Sequence, residues 1–193
     1  MSAGGGTMHS MSTALAAVAA TLFLIRLGLF VALHLVRSDY NPIEHAVSDY
    51  AVGPTRRLAT TATWVWAAAW ATLAAAVDHG TIWLLLLAAI FAVLPFLPTD
   101  LEGARRTVVG RVHYIAAIAW FAISFTLTST FTAQYNLVVL TALRWIALVS
   151  LAALVVALLV RPLRRRFFGL SERIFIVAIN LFYLVVPIAT LTR

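Results

Sequence analysis

Residues 137–166 read LVVLTALRWIALVSLAALVVALLVRPLRRR: 24 residues with a single charge, Arg144, followed by four arginines within six positions. Crossing about 30 Å of hydrocarbon takes roughly 17–25 apolar residues in a helix, and this stretch has them. Working outward, five more stretches of the same kind appear at about 13–36, 58–77, 81–97, 109–131 and 174–191. All 14 basic residues are arginine, and eleven fall at alternate connections: Arg37, Arg56 and Arg57; Arg105, Arg106 and Arg111; Arg161, Arg164, Arg165, Arg166 and Arg173. The other side carries only Arg193, while Arg26 and Arg144 lie inside apolar stretches. Arginine marks the cytoplasmic side of a membrane protein. The pattern therefore predicts an all-α fold, a six-helix transmembrane bundle with both termini outside, multi-pass in the cell membrane.

Composition agrees. With 63% hydrophobic residues, 11% charged and a mean hydropathy of +0.97, the chain has too much apolar surface for a water-soluble fold. Residues 1–12, small and polar, read as a flexible N-terminus, and 13–193 as one membrane domain, the first span being too long for a signal-peptide core. The absence of cysteine excludes disulfides, thiolate metal ligands and a catalytic thiol. A net charge of +7 raises nucleic acid as a partner, but the arginines flank span ends instead of forming a separate basic face, so no nucleic acid is expected. The natural partner is the lipid bilayer, in particular anionic headgroups, each juxtamembrane arginine adding about 1 kcal/mol of attraction.

The first arginine-rich connection, SDYNPIEHAVSDYAVGPTRR (residues 38–57), is the richest in polar groups. Asn41, Pro42 and Glu44 form a helix-start pattern of cap, N1 proline and an acid that bonds back to the cap, and Gly53-Pro54 ends the helix. A short interfacial helix over 42–52 is predicted, with His45, Ser48 and Asp49 on one face and Ile43, Val47 and Tyr50 on another. Three readings of that polar face stand side by side. It is a solvated face with Asp49 hydrogen-bonded to His45, a binding face for a polar headgroup, or a catalytic group with Ser48 as nucleophile and His45 as base.

The second connection and its flanks, LPFLPTDLEGARRTVVGRVHY (residues 94–114), place Asp100 and Glu102 near His113. Thr107 is positioned to cap the fourth span. These carboxylates and histidines are types that hard metals or zinc accept, but H-E-x-x-H and other metal spacings are absent, so no metal is assigned. Arg26, about ten residues or roughly 15 Å inside the first span, is too deep to reach water and calls for a partner. Asn180 in the last span is the candidate, with Ser124 next. Trp64, Trp66 and Trp70 in the second span read as packing.

The pattern Tyr40-Asn41-Pro42, His45, Ser48-Asp49, Ala51 and Gly53-Pro54, then Phe96, Pro98-Thr99-Asp100, Gly110 and His113, resembles the bacterial membrane family catalogued as domain of unknown function 998. That family is similar in outline to the Frag1/DRAM/Sfk1 membrane proteins, some linked to lipid organisation. The resemblance implies a six-helix bundle with these polar loop residues gathered together, and no established reaction.

The function expected is recognition or organisation of an anionic lipid, or a related polar small molecule, at the cytoplasmic leaflet, with Arg26, Arg56, Arg57, Arg105, Arg106 and Asn180 as ligand contacts. The alternatives are an intramembrane hydrolase or transferase using His45, Ser48, Asp49, Asp100 and His113, with or without a metal ion, and a transporter or channel subunit built around Arg26. No cofactor is indicated.

Overall fold

The computed structural model describes residues 3–36, 40–101 and 105–192, with the side chains of residues 3–9, 161 and 165 set aside. Arg37, Glu102 and Arg193, counted above, lie outside the described residues, as do the side chains of Arg161 and Arg165. Among the described residues six α-helices run in order: α1 (Ala3–Leu35), α2 (Arg56–Ala76), α3 (Thr81–Val93), α4 (Val108–Tyr135), α5 (Val138–Leu159) and α6 (Arg161–Leu191). Short 3-10 turns cover Val47–Ala51, Gly53–Thr55 and Leu94–Phe96, and no strand occurs among the described residues.

Four of these helices are long and apolar enough to cross a membrane: Ser10–Leu35 of α1, α4, α5, and Arg166–Leu191 of α6. Thr81–Phe96 makes a shorter apolar helix. The α1 helix already runs from Ala3, through the segment read as a tail, and Ser12 donates to the Ala76 carbonyl at 3.1 Å. At the other end of the chain, the helix expected from about 174 starts at Arg161. Pro162 sits in its first turn, where a missing N–H costs nothing. The arginine cluster is therefore helical, and Val160 alone joins α5 to α6.

Helix α6 lies between α1 and α5; α1 packs on α2, and α2 on α3, while α4 makes the thinnest contacts, meeting α3, α5 and α6. Large rings fill the centre. Trp70 meets Phe23 edge-on at 5.2 Å and Tyr183 at 4.5 Å, and Trp66 lies 4.4 Å from Phe91 and 5.2 Å from Trp120. Lipid supplies no hydrophobic drive between helices, so packing and buried polar bonds must hold them. Tyr183 donates to the Ser124 carbonyl at 2.7 Å, tying α6 to α4, and Asn180 Nδ2 donates to the Phe23 carbonyl at 3.1 Å, tying α6 to α1.

The first connection departs from expectation. Instead of one helix over 42–52, there is a single turn after Asn41, a break at Ala46 (ψ 151°) and the 3-10 turn Val47–Ala51. The Asn41 cap exists locally: its Oδ1 accepts from the Ile43 amide at 3.0 Å, and its Nδ2 donates to Glu44 at 3.1 Å. What stops the helix is competition for the next amides. The Ala46 N–H goes to Asp49 Oδ2 at 3.2 Å, and the Val47 N–H goes to Glu172 Oε2 on α6 at 2.7 Å. A carboxylate 125 residues away thus overrides a local helix signal. His45, Ser48 and Asp49 do not share one helical face, and Ile43, exposed, is separated from buried Tyr50.

Candidate functional site

Three polar contacts fix the arginine-rich end. The first is a clamp built on Arg173. Its Nε donates to His34 Nε2 on α1 at 2.8 Å, and its Nη1 donates to the His45 carbonyl at 2.7 Å and the Gly169 carbonyl at 2.9 Å. The guanidinium also stands 5.5 Å from the centre of the Tyr50 ring. His34 Nδ1 donates to the Phe30 carbonyl at 2.7 Å, so the ring is neutral with its free lone pair on Nε2, the tautomer that can accept from arginine. One cation on α6 therefore gathers α1, the first connection and its own helix.

The second contact is backbone on backbone. The Leu170 amide donates to the Ile43 carbonyl at 3.2 Å, and Gly169 lies so close that a Cβ there would run into the carbonyls of His45 and Pro42. No other residue fits that approach without shifting the loop.

The third explains the second connection. As the sequence suggested, Thr107 caps α4, its hydroxyl accepting from the Gly110 amide at 2.9 Å. Asp100 then holds Thr107 twice, accepting from its amide and its hydroxyl, both at 2.8 Å. These two donors keep the Asp100 carboxyl below its usual range. The carboxylate lies flat on the first turn of α4, where a Cβ at Gly110 would collide with it. A turn deeper, His113 Nδ1 donates to the Leu97 carbonyl at 2.7 Å, pinning α4 to the end of α3 and leaving Nε2 as the basic atom of the neutral ring.

Between these contacts lies a cavity of about 900 Å³. His45, Ser48, Asp49, Asp100 and His113 all line it, as do Arg26 and Arg106. The polar atoms of this group are largely engaged in building the fold: Asp49 and Asp100 accept from backbone amides, and His45 Nδ1 accepts from the Asn41 amide at 3.0 Å. The hydrogen bond expected between Asp49 and His45 is replaced at His45 by this turn. Arg56, Arg57 and Arg105 are exposed and do not line the cavity, and neither does Asn180. Arg111, Arg164 and Glu172, unassigned in the sequence, do line it. In the sequence Arg111 and Arg164 stood out only as charges that set orientation, and nothing local distinguishes Glu172. Among the described residues, no three His, Asp or Glu side chains gather closely enough to hold a metal ion.

Arg26 sits among the deepest groups lining this space, 6% exposed. The partner expected for it, Asn180, donates through Nδ2 to Phe23 while its Oδ1 makes no bond to Arg26, and Ser124 donates to the Phe121 carbonyl at 3.3 Å. Instead the guanidinium faces two rings, 4.4 Å from the centre of Trp66 and 5.1 Å from that of Phe30. A desolvated cation on an aromatic face gains about 2 kcal/mol, less than the several kcal/mol lost when an ion leaves water. The rings orient Arg26 without neutralising it. Its Nε and the Trp66 indole nitrogen are both buried with no acceptor.

Helices of this length and apolarity, with polar chemistry gathered at one end, define a transmembrane helical protein. A family model described as protein of unknown function (DUF998) matches residues 15–189, and the chain belongs to that family. No curated protein and no solved structure matches the chain.

Proposed function

We propose that this protein spans the cell membrane six times, with its arginine-rich end in the cytoplasm, and binds an anionic lipid or related anionic amphiphile in the cavity at that end. Helix α2, at 21 residues, is about 31 Å long and so reaches across a bilayer despite its threonines and alanines. Both ends of the remaining short span can be met by local thinning of the bilayer. The observation that carries the reading is the polarity of one cavity: Arg106, Arg111 and Arg164 stand at its polar end, while exposed Ile115, Ile118, Val155 and Leu158 of α4 and α5 contribute apolar wall. Arginines beside lipid-facing apolar surface suit a negative headgroup with a hydrocarbon chain attached. Hydrolysis or transfer has less support, because Asp49 and Asp100 accept hydrogen bonds from backbone amides and His113 Nδ1 is held by Leu97.

The test is lipid retention. Protein purified from mixed phosphatidylglycerol and phosphatidylcholine nanodiscs should keep the anionic lipid selectively, by mass spectrometry of the released lipid. The double variant Arg111→Gln/Arg164→Gln should lose about 2 kcal/mol of that preference, roughly thirtyfold in affinity. Equal retention of the two lipids by the native protein refutes the proposal.

A further inference from the structure

Two polar groups of the cavity wall share a property: they donate, and nothing among the described residues accepts. The guanidinium of Arg26 has no hydrogen-bond or ion-pair partner among the described residues, and the nearby Trp66 indole N–H is likewise buried without an acceptor. Both side chains line the same cavity. Asn180 Oδ1, the acceptor without a partner on α6, bonds neither of them and lies outside the cavity lining. No carboxylate among the described residues neutralises Arg26; the acids that line the cavity, Glu44, Asp49, Asp100 and Glu172, come from its arginine-rich end. Two side chains that line one cavity and carry donors without an acceptor, one of them a cation, make half of a binding site. The missing half is an oxyanion.

We infer that Arg26 and Trp66 form an internal oxyanion site, which takes the carboxylate or phosphate group of the molecule that enters past the rim arginines. The inference rests on the cavity being a binding site for an anionic molecule, as proposed above, and adds where its charged group ends up. Trp66 has two tasks there. Its ring face lies 4.4 Å from the guanidinium carbon and orients the cation, and its N–H is a second donor for the same bound group. Phe30, at 5.1 Å on the same helix as Arg26, is a second ring beside the cation, and Arg26 itself lines the cavity through which a ligand would arrive. The same chemistry is offered by a single-chain lipid with a terminal acid and by a small free anion. The experiment separates them.

Ligand-dependent melting shifts would be measured in an uncharged detergent with oleate, lysophosphatidic acid, acetate, inorganic phosphate and, as a zwitterionic control, lysophosphatidylcholine. For whichever oxyanion the native protein binds, Arg26→Gln should weaken the apparent Kd about tenfold or more, and Trp66→Phe, which keeps a ring but deletes the donor, about threefold. Lysophosphatidylcholine should show no dependence on Arg26. Binding of oleate or lysophosphatidic acid without acetate or phosphate identifies an amphiphile, and the reverse identifies a free anion; both support the site if Arg26 controls the affinity. Should Arg26→Gln fail to fold, Trp66→Phe decides: a weakened Kd supports the site and an unchanged one overturns it. Unchanged affinity in both variants, with Arg111→Gln/Arg164→Gln still impaired, overturns the internal site while leaving anionic binding at the rim intact. No oxyanion binding by the native protein overturns both.

Discussion

Replacing Arg173 by Met keeps most of the side-chain volume and removes the charge and every donor. The structure sets the scale. The His34 and His45 acceptors, at 2.8 and 2.7 Å, lose their donor in a partly buried setting, while the Gly169 carbonyl is bonded from within its own helix as well. Leaving a buried acceptor unpaired costs about 1–3 kcal/mol, and removing a buried ion recovers part of its desolvation, so a net loss of about 3 kcal/mol is expected. For a chain of this size each kcal/mol moves a melting temperature by about 2–4 °C, which gives a drop of about 6–12 °C in detergent. The clamp also predicts coupling. His34→Leu should lower stability alone, yet combined with Arg173→Met the two should fall short of additivity by more than about 0.5 kcal/mol. A melting temperature within about 2 °C of native, or strict additivity, would refute the reasoning that this cation holds α1, the first connection and α6 together.

Gly110→Ala should lower the melting temperature by driving a methyl group into the Asp100 carboxylate, and adding Asp100→Ala to it should cost less than the same change costs the native protein; equal costs would sink the account. Because the Asp100 carboxyl is held below its usual range in the folded state, its contribution is present in full above the unfolded value of about 4 and is lost as pH falls through the lower folded value. The melting gap between native protein and Asp100→Asn should therefore narrow on acidification below that window, and a gap independent of pH contradicts it. The chain has no cysteine, so single thiols report cleanly: an impermeant maleimide should label Thr192→Cys in intact cells and Arg57→Cys only after permeabilisation, and the opposite pattern reverses the orientation.

The helical, membrane-spanning character was legible because it depends on summed apolarity, which no tertiary contact can reverse. The Thr107 cap was legible because both its atoms lie within three residues of each other. The loop helix failed for the opposite reason. Asn41 and Pro42 signal a start correctly, but whether the helix continues past Ala46 is decided by Glu172, which the local sequence does not contain. Arg26 misled in another way: a search for polar partners passes over aromatic rings, and Trp66 at 4.4 Å looked like ordinary packing. Gly169 gave no signal at all. A glycine within a helix reads as a mild defect until the carbonyls of Pro42 and His45 are seen to occupy the space beside it.

The docking of the first connection on α6 also dictates an order of events during synthesis. Residues 42–47 leave the ribosome more than a hundred residues before Gly169, Glu172 and Arg173, the groups that receive them. Until the final helix is delivered, the Val47 amide and the His45 carbonyl have only water or lipid headgroups as partners, and the loop cannot hold its native path. A nascent chain halted at Val160 would possess five helices and every acid and histidine that lines the cavity except Glu172. It would still lack the wall that shapes them. Helix α6, translated after the other five, is the element that turns a row of helices into a walled cavity.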